Sequence, residues 1–338
     1  MNGQQISSID ALESVVGRTP GAMHLKVIDH LDAGALRWIA AAPLVCAGFG
    51  DASRLGVTFG GGRPGFAGGD ARSLRMPTAS LDDPDLARPG AAFGSLFLIP
   101  GIGETLRVNG RVEQAGAEEI QVSVEECYGH CAKAVIRSEL WAAQPVDAVP
   151  GDPAGFIAAS RFAALATLGA EGHADLSPKG DPAGCMAQLD GDTLWFADRP
   201  GNRRCDSLRN ILGRPDVALA LLIPGAAQLA VLRGQAALTT EPAARARFEV
   251  RGKVPSLAIR VAVSGIEYQV SPALARAGLW PVAPAAQAID PAALFVEHIK
   301  LNRGNGLGAR LASAALAVPG AATLLKKGLD KDYKENLY

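Results

Sequence analysis

Residues 95–112 read SLFLIPGIGETLRVNGRV, and residues 219–236 read LALLIPGAAQLAVLRGQA. Both stretches contain the tripeptide Ile-Pro-Gly, and the two copies lie 124 residues apart. Further along, HCAKAVIRSELW at 130–141 lines up with QVSPALARAGLW at 269–280. A repeat unit of this length indicates a duplicated domain, because the repeats of solenoid proteins recur every ~20–50 residues.

Length and composition are typical of a soluble protein with two domains. The chain has 338 residues, of which 48% are hydrophobic and 20% charged, so each half is long enough to bury a core. The net charge is −1, which gives no general attraction for nucleic acid or for an anionic membrane. The five cysteines form no CxxC pair and are typical of reduced thiols, so we expect a cytoplasmic protein.

No targeting or membrane-spanning segment is predicted. The N-terminal residues MNGQQISSIDALESVVG have no basic region before an apolar run. The most apolar late stretch, residues 311–325, is interrupted by Pro319-Gly320 and is shorter than the roughly 20 residues that a membrane span needs.

Residue patterns divide the chain into two strand-rich repeats and a tail. Residues 1–146 form the first repeat with a helical lead-in over 9–40, residues 147–286 form the second repeat, and residues 287–338 form a helical tail. Short antiparallel strands with sparse helices predict small barrels. The predicted strands are LVCAGF, LGVTF, FGSLFLI, ETLRVNGRVE and EIQVSVEE in the first repeat, and FAALATL, DTLWFAD, VALALLI, QLAVLRGQAAL and LAIRVAVSGIEYQV in the second.

Two cation-bearing loops are predicted in the second repeat. The first covers residues 177–181 (SPKGD), and the second covers 198–204 (DRPGNRR) and leads into a short helix. Guanidinium groups, an ammonium and a hydroxyl at the start of a helix suit a phosphate. The alternative interpretation is a basic turn that faces water.

Together, SPKGDPAG, ADRPGNRRCDSLRNIL, LFLIPGIGETLRVNGR and HCAKAVIRSELW resemble the pyridoxamine 5′-phosphate oxidase-like family of FMN-binding split barrels. The resemblance covers about residues 40–285. It implies a mainly β (α+β) protein with two tandem split β-barrels that pair within one chain as a pseudo-dimer, and FMN at their interface. One barrel would supply the loops that grip the phosphate. The other would supply the strand matching TLRVNG and a C-terminal strand matching HCAKA.

The two repeats have lost complementary halves of this implied site. Where the second repeat has Ser177, Pro178 and Lys179, the first has Thr58, Phe59 and Gly60. The first repeat also has the acidic stretch TASLDDPDLARPG in place of the RPGNRR loop. Conversely, His130, Cys131, Lys133 and Ser138 of the first repeat correspond to Gln269, Val270, Pro272 and Ala277 in the second. The losses predict one intact composite site and one lost site.

The resemblance implies two groups of FMN-binding residues in that site. The phosphate side consists of Lys179, Arg203 and Arg204, with Ser177, Arg199, Asn202 and Ser207 alongside. The opposite wall consists of Arg107, Asn109, His130, Lys133, Arg137 and Ser138. No catalytic residue is assigned. His130 is a weak candidate, and a role in the wall is the alternative.

The family resemblance implies an FMN-dependent oxidoreductase that acts on a small organic molecule, with oxygen or a nicotinamide cofactor as redox partner. We expect either a monomeric pseudo-dimer or a homodimer. Two alternatives use the same fold: a flavin- or haem-binding carrier or sensor without enzymatic activity, and an enzyme that uses a deazaflavin or haem.

Two other motifs resemble a dinucleotide site and a metal site, but the neighbouring residues favour neither. GGGRPG at residues 60–65 matches the dinucleotide fingerprint GxGxxG, but that fingerprint opens a helix, which Pro64 and the glycines that follow do not favour. Cys127, His130 and Cys131 resemble metal ligands, but on a strand His130 would face away from the cysteines. We predict neither a Rossmann site nor a metal site.

Overall fold

The computed structural model describes residues 5–283, 289–302, 327–328 and 331–338. Two antiparallel sheets form its centre. Their strands, numbered along the chain, are β1 (Gln5–Ile6), β2 (Leu44–Gly50), β3 (Leu55–Gly61), β4 (Gly68–Gly69), β5 (Ser73–Pro77), β6 (Ala92–Leu98), β7 (Thr105–Ala115), β8 (Glu119–His130), β9 (Phe162–Leu168), β10 (Ala174–Gly180), β11 (Gln188–Asp190), β12 (Thr193–Asp198), β13 (Asp216–Leu222), β14 (Gln228–Thr239) and β15 (Leu257–Val270).

The two sheets have the same strand order. The first sheet runs β3-β2-β6-β7-β8-β5-β4, and the second runs β10-β9-β13-β14-β15-β12-β11. Counted from the first strand of each sheet, both orders read 2-1-5-6-7-4-3. We call β2–β8 the first unit and β9–β15 the second unit. The two units therefore have the same strand topology.

The ten runs predicted as strands from their apolar patterns are all strands in the structure. Five strands were not predicted: the short strands β1, β4, β5 and β11, and the longer strand β10. Residues 177–180, predicted as a loop, lie in β10, which pairs with β9 at the edge of the second sheet. Pro178 is tolerated there because an edge strand does not need every backbone N–H for pairing.

Helices cover the ends and faces of the two units. They are α1 (Ile9–Val16), α2 (Ala22–Leu25), α3 (Ala33–Ala41), α4 (Lys133–Arg137), α5 (Pro153–Ala159), α6 (Asp206–Gly213), α7 (Pro242–Ala246), α8 (Pro272–Ala277) and α9 (Pro291–Leu301), and residues 331–335 add one helical turn. No helix among the described residues is long and apolar enough to cross a membrane.

The segments before β2 pack partly on the second unit and partly on the first. The cap of α1 is Ser8, whose hydroxyl accepts a hydrogen bond from the Ala11 N–H. Strand β1 pairs with β14, and Leu12 lies in the core of the second unit. The first part of the lead-in therefore packs on the second unit, although the predicted boundaries grouped it with the first. Trp38 of α3 packs in the core of the first unit.

The tail also contacts the first unit. Leu294 of α9 lies in the first unit's core, and the fully buried His298 contacts Asp32 at 3.3 Å. Asp32 caps α3 by accepting a hydrogen bond from the Ala35 N–H. The predicted helical tail is present in α9 and in the turn at 331–335, and the rest of it lies outside the described residues.

A third apolar core joins the two units face to face. It contains Phe59 and Leu96 of the first unit together with Phe162 and Leu176 of the second. The sheets approach closely at Gly94, where an added Cβ would lie 3.1 Å from the backbone nitrogen of Leu176. Side chains at the edge of this interface can therefore reach across from one unit to the other.

The segment HCAKA differs from its predicted structure. Strand β8 ends at His130, and Lys133–Arg137 form the short helix α4 instead of a strand. The argument that Cys127 and Cys131 share one face of a strand therefore does not apply. Cys127 is buried in β8, whereas Cys131 follows the end of that strand.

Candidate functional site

A cavity of about 530 Å³ lies between the two units, and residues from both line it. We call it the first cavity. Seven cationic side chains line it, against the three carboxylates of Asp181, Asp198 and Asp206. The cations are Arg107, Arg137, Lys179, Arg199, Arg203, Arg204 and Lys253. The excess of positive charge makes this cavity suitable for an anionic ligand.

Arg107 extends from β7 of the first unit across to the second. It is almost fully buried, donates to the Tyr128 hydroxyl at 2.7 Å, and forms an ion pair with Asp175 of β10. Its Nη2 also donates to the carbonyl oxygen of Leu176 at 2.6 Å. Burial opposes its charge, but Asp175 and Tyr128 outweigh that effect and raise the pKa of Arg107. Arg107 therefore holds β10 against the first unit as a fixed positive charge.

Arg137 of α4 connects the two cation-bearing segments of the second unit. Its Nε donates to the Gly180 carbonyl at 3.0 Å, and its Nη1 donates to the Pro200 carbonyl at 3.2 Å and to the Leu337 carbonyl at 2.7 Å. Gly180 is needed at this contact, because an added Cβ would lie 1.9 Å from the Ala134 carbonyl oxygen. The tail thus reaches the rim of the cavity.

The cations of the second unit are partly neutralised by neighbouring carboxylates. Lys179 pairs with Asp198 at 3.2 Å. Arg199 pairs with Asp181 at 2.7 Å, and Arg204 pairs with Asp206, the first residue of α6, also at 2.7 Å. These pairs fix the positions of the guanidinium groups at the cavity wall.

Several buried donor atoms in the same wall have no hydrogen-bond partner in the described part of the chain. They are Nη2 of Arg199, Nη1 of Arg204 and Nδ2 of Asn202. A buried donor without an acceptor costs roughly 1–3 kcal/mol. All three residues lie in or beside the RPGNRR loop, so a ligand with several acceptor oxygens would satisfy them together.

The RPGNRR loop has an unusual backbone. Arg203 and Cys205 both have φ near 57°, which is rare for residues other than glycine. The Thr19 hydroxyl, from the lead-in, donates to the Arg203 carbonyl at 2.7 Å and supports the loop. The side chain of Arg203 is exposed, and Arg204 packs 4.5 Å from the centre of the Tyr128 ring.

Residues 154–271 match the family model described as pyridoxamine 5′-phosphate oxidase. The match covers about a third of the chain, and this segment is similar to the pyridoxamine 5′-phosphate oxidase-like family. Members of this family commonly bind flavins. No curated protein matches the chain.

Solved structures match about a third of the chain. HupZ of Group A Streptococcus is 22% identical over 33% of this chain and 88% of its own, with a TM-score of 0.28. A protein described as F420 reductase is 18% identical over 35% of this chain and 98% of its own, with a TM-score of 0.26. General stress protein 26 of Bacillus anthracis is 17% identical over 32% of this chain and 84% of its own, with a TM-score of 0.23.

The first cavity brings together most of the residues that the family resemblance implied. Ten of them line it: Arg107, His130, Arg137, Ser177, Lys179, Arg199, Asn202, Arg203, Arg204 and Ser207. Three do not. The Asn109 side chain donates to Glu126 at 2.9 Å, and the Ser138 hydroxyl is buried and donates to the Val135 carbonyl. Lys133 lines a different cavity.

At the corresponding interface between α8 and the first unit, the two units form polar contacts with each other. Asp82 accepts hydrogen bonds from the Ser271 hydroxyl and from the Ala273 N–H of α8. Arg276 donates to the carbonyls of Gly61 and Ser80, much as Arg137 does to those of Gly180 and Pro200. The acidic stretch of the first repeat thus makes a structural contact.

A second cavity, of about 380 Å³, adjoins the first. His130, Cys131, Gly201, Asn202 and Arg203 line both cavities. Burial and the positive charges of Arg107 and Lys26 hold the pKa of His130 well below its usual value, so its imidazole is neutral at pH 7. A neutral imidazole has one N–H donor and one acceptor nitrogen, so His130 can form hydrogen bonds to a ligand in either cavity.

Lys26 is the main residue of the second cavity that the sequence analysis missed. It lies just after α2 and is 3% exposed, and its ammonium donates to the Gly129 carbonyl at 2.8 Å. Nothing in the surrounding sequence distinguishes it from a surface lysine. The described residues contain no group of three or more His, Cys, Asp or Glu side chains arranged to hold a metal ion.

Proposed function

We propose that the protein is an FMN-dependent oxidoreductase that acts on a small organic molecule, and that it binds one flavin in the first cavity. The two repeats would form this composite site together as an intrachain pseudo-dimer. The family includes oxidoreductases and flavin-binding proteins, which supports the chemistry at a coarse level. The assignment of FMN and of these residues is our own inference.

The observation that carries the proposal is the set of unpartnered donors in the RPGNRR loop. Arg199, Arg204 and Asn202 each have a buried nitrogen without an acceptor in the described part of the chain. A phosphate group has several acceptor oxygens, and guanidinium groups bind it through charge-assisted hydrogen bonds. The residues therefore fit a phosphate-bearing cofactor, with the first turn of α6 adding its backbone N–H groups and Ser207.

The first unit would supply the opposite wall of the cofactor site. Arg107 is a fixed, buried positive charge, and His130 presents a neutral imidazole to the same cavity. When bound, the flavin supplies the transfer of electrons, and the protein orients it and controls access of water. His130 borders both cavities, and as a neutral imidazole it would orient the flavin or the substrate by hydrogen bonding, because the charges that lower its pKa oppose its protonation.

The proposal is tested by the flavin content of the purified protein. We expect a yellow protein that releases one FMN per chain on denaturation. Two equivalent flavins per chain would contradict the single composite site. A spectrum typical of haem, or a chromophore identified as a deazaflavin, would replace FMN by one of the alternatives.

The double variant Arg203→Ala with Arg204→Ala tests the position of the phosphate. Each charge-assisted contact contributes roughly 1.5–3 kcal/mol, so the affinity for FMN should fall by about two orders of magnitude or more. Arg63→Ala removes an exposed arginine of the first unit and is the matched control. Unchanged FMN affinity in the double variant, with circular dichroism showing an intact fold, would refute this placement.

A further inference from the structure

The second cavity combines an apolar wall with one buried ammonium group. Three aromatic side chains line it, those of Trp38, Phe295 and Tyr333, together with Leu294. These residues come from α3, α9 and the helical turn at 331–335. The apolar wall of the cavity is therefore built by segments outside the span of the family match, whereas Gly201, Asn202 and Arg203 lie within that span.

The carboxylates of this cavity already have partners. Asp332 pairs with Lys133 at 2.8 Å, and Glu104 accepts a hydrogen bond from the Tyr333 hydroxyl at 3.1 Å. Lys26 has no carboxylate within ion-pair distance among the described residues. Its described contacts are the Gly129 carbonyl, at 2.8 Å from Nζ, and the rings of Tyr128 and Phe295, whose centres lie 5.4 and 5.8 Å from Nζ.

A buried ammonium without a counter-ion costs free energy, and binding an anionic ligand would offset that cost. Burial lowers the pKa of Lys26 to about 8, so the group is still mostly charged at pH 7. An ammonium has three N–H donors, and one of them is used by the Gly129 carbonyl. A ligand with a negative group would supply both the missing charge and the missing acceptors.

We propose that the second cavity binds a small aromatic carboxylate, with the ring against Phe295 and Trp38 and the carboxylate paired with Lys26. As the site of the substrate, this inference rests on the proposed function, because the cavity shares His130 and Asn202 with the first cavity. The ligand would then lie beside the flavin. Binding of the carboxylate itself does not require the flavin.

The test uses 2-naphthoate and its neutral counterpart 2-naphthamide as probes of the full-length protein. The two molecules share the same ring system and differ in charge. We expect naphthoate to bind at least ten times more tightly than naphthamide, measured by isothermal titration calorimetry and by the fluorescence of the protein. Equal affinities, or no binding of naphthoate, would overturn the proposal.

Variants of the cavity test the ion pair with Lys26 and the contact of the ring with Phe295 separately. Lys26→Met should weaken naphthoate binding at least tenfold and leave naphthamide binding unchanged, whereas Lys26→Arg should retain most of the naphthoate affinity. Phe295→Ala should weaken both probes. The exposed Lys300→Met, on the same helix as Phe295, is the control and should change neither. Unchanged naphthoate affinity in folded Lys26→Met would refute the ion pair.

Flavin content separates failure of this inference from failure of the proposed function. Lys26→Met should retain the flavin content of the original protein, since Lys26 does not line the first cavity. In the flavin-loaded protein, naphthoate should shift the flavin absorption spectrum, because the two ligands would be neighbours. A protein that holds flavin but does not bind naphthoate in the calorimeter would leave the proposed function standing and reject the second site.

Discussion

The charge of Lys26 has a consequence for stability that can be measured without any ligand. Lys26→Met should stabilise the folded protein at pH 7. Burial lowers the pKa of Lys26 from 10.5 to about 8, and each pKa unit corresponds to about 1.36 kcal/mol, so keeping this lysine charged costs roughly 3 kcal/mol. Methionine is flexible and apolar and fills a similar volume. It forfeits a hydrogen bond worth ~1 kcal/mol and weak cation–π contacts, so we expect a net gain of roughly 1–2 kcal/mol.

The same pKa shift fixes how this gain depends on pH. Between about pH 8 and 10.5 the unfolded chain binds more protons at Lys26 than the folded chain does, so the protein with lysine becomes more stable as the pH rises. The advantage of Lys26→Met should therefore be constant below pH 8 and shrink towards pH 10.5. Urea denaturation at pH 7 and at pH 10 measures both effects, with Lys300→Met as the exposed control. A variant that is less stable at pH 7, or a difference independent of pH, would refute this reasoning.

Two further variants test the contacts that join the tail to the first unit and the two units to each other. Burial opposes the charge of Asp32, but hydrogen bonds from His298 and from the Ala35 N–H lower its pKa to about 2. Asp32→Asn should cost about 2 kcal/mol at neutral pH, measured by urea denaturation, and this difference should vanish as the pH falls from 4 to 2, because the stabilisation is lost on protonation. Arg276→Ala removes two hydrogen bonds to the first unit and should lower the free energy of unfolding by about 1 kcal/mol without any loss of flavin. Loss of flavin in that variant would mean that the second interface also holds a cofactor.

Most strands could be predicted from the sequence because local patterns encode them, whereas the candidate site residues were implied by the family resemblance. Alternating or continuous apolar runs produced every predicted strand, since such runs must be buried on at least one face. The edge strand β10 was missed because its proline, glycine and charged residues have the local signature of a loop. Only its place at the edge of a sheet, which is a tertiary property, makes that composition compatible with a strand.

The burial of Lys26 could not be predicted from the sequence, because it too is a tertiary property. Its burial is produced by α9 and by the β8 strand end at Gly129, which are separated from it by more than a hundred residues. The local sequence HLKVID contains no sign of this environment. Likewise, the contact of the Leu337 carbonyl with Arg137 joins residues that no local pattern connects.

Arg137 and Arg276 occupy equivalent positions at the α4 and α8 interfaces between the two units. Comparing their surroundings indicates why only the α4 interface is suited to a ligand. Arg137 and Arg276 both hold glycine-bearing strands of the opposite unit, so this contact is needed to build either interface. What differs is whether the hydrogen-bond donors at each interface find an acceptor among the described residues. At the α8 interface, Asp82 supplies a carboxylate from within the chain and satisfies the backbone N–H of Ala273. At the α4 interface, donors of Arg199 and Arg204 remain unsatisfied by any described residue. Since buried donors of this kind are costly, the interface that keeps them is the one where an external anion has a place.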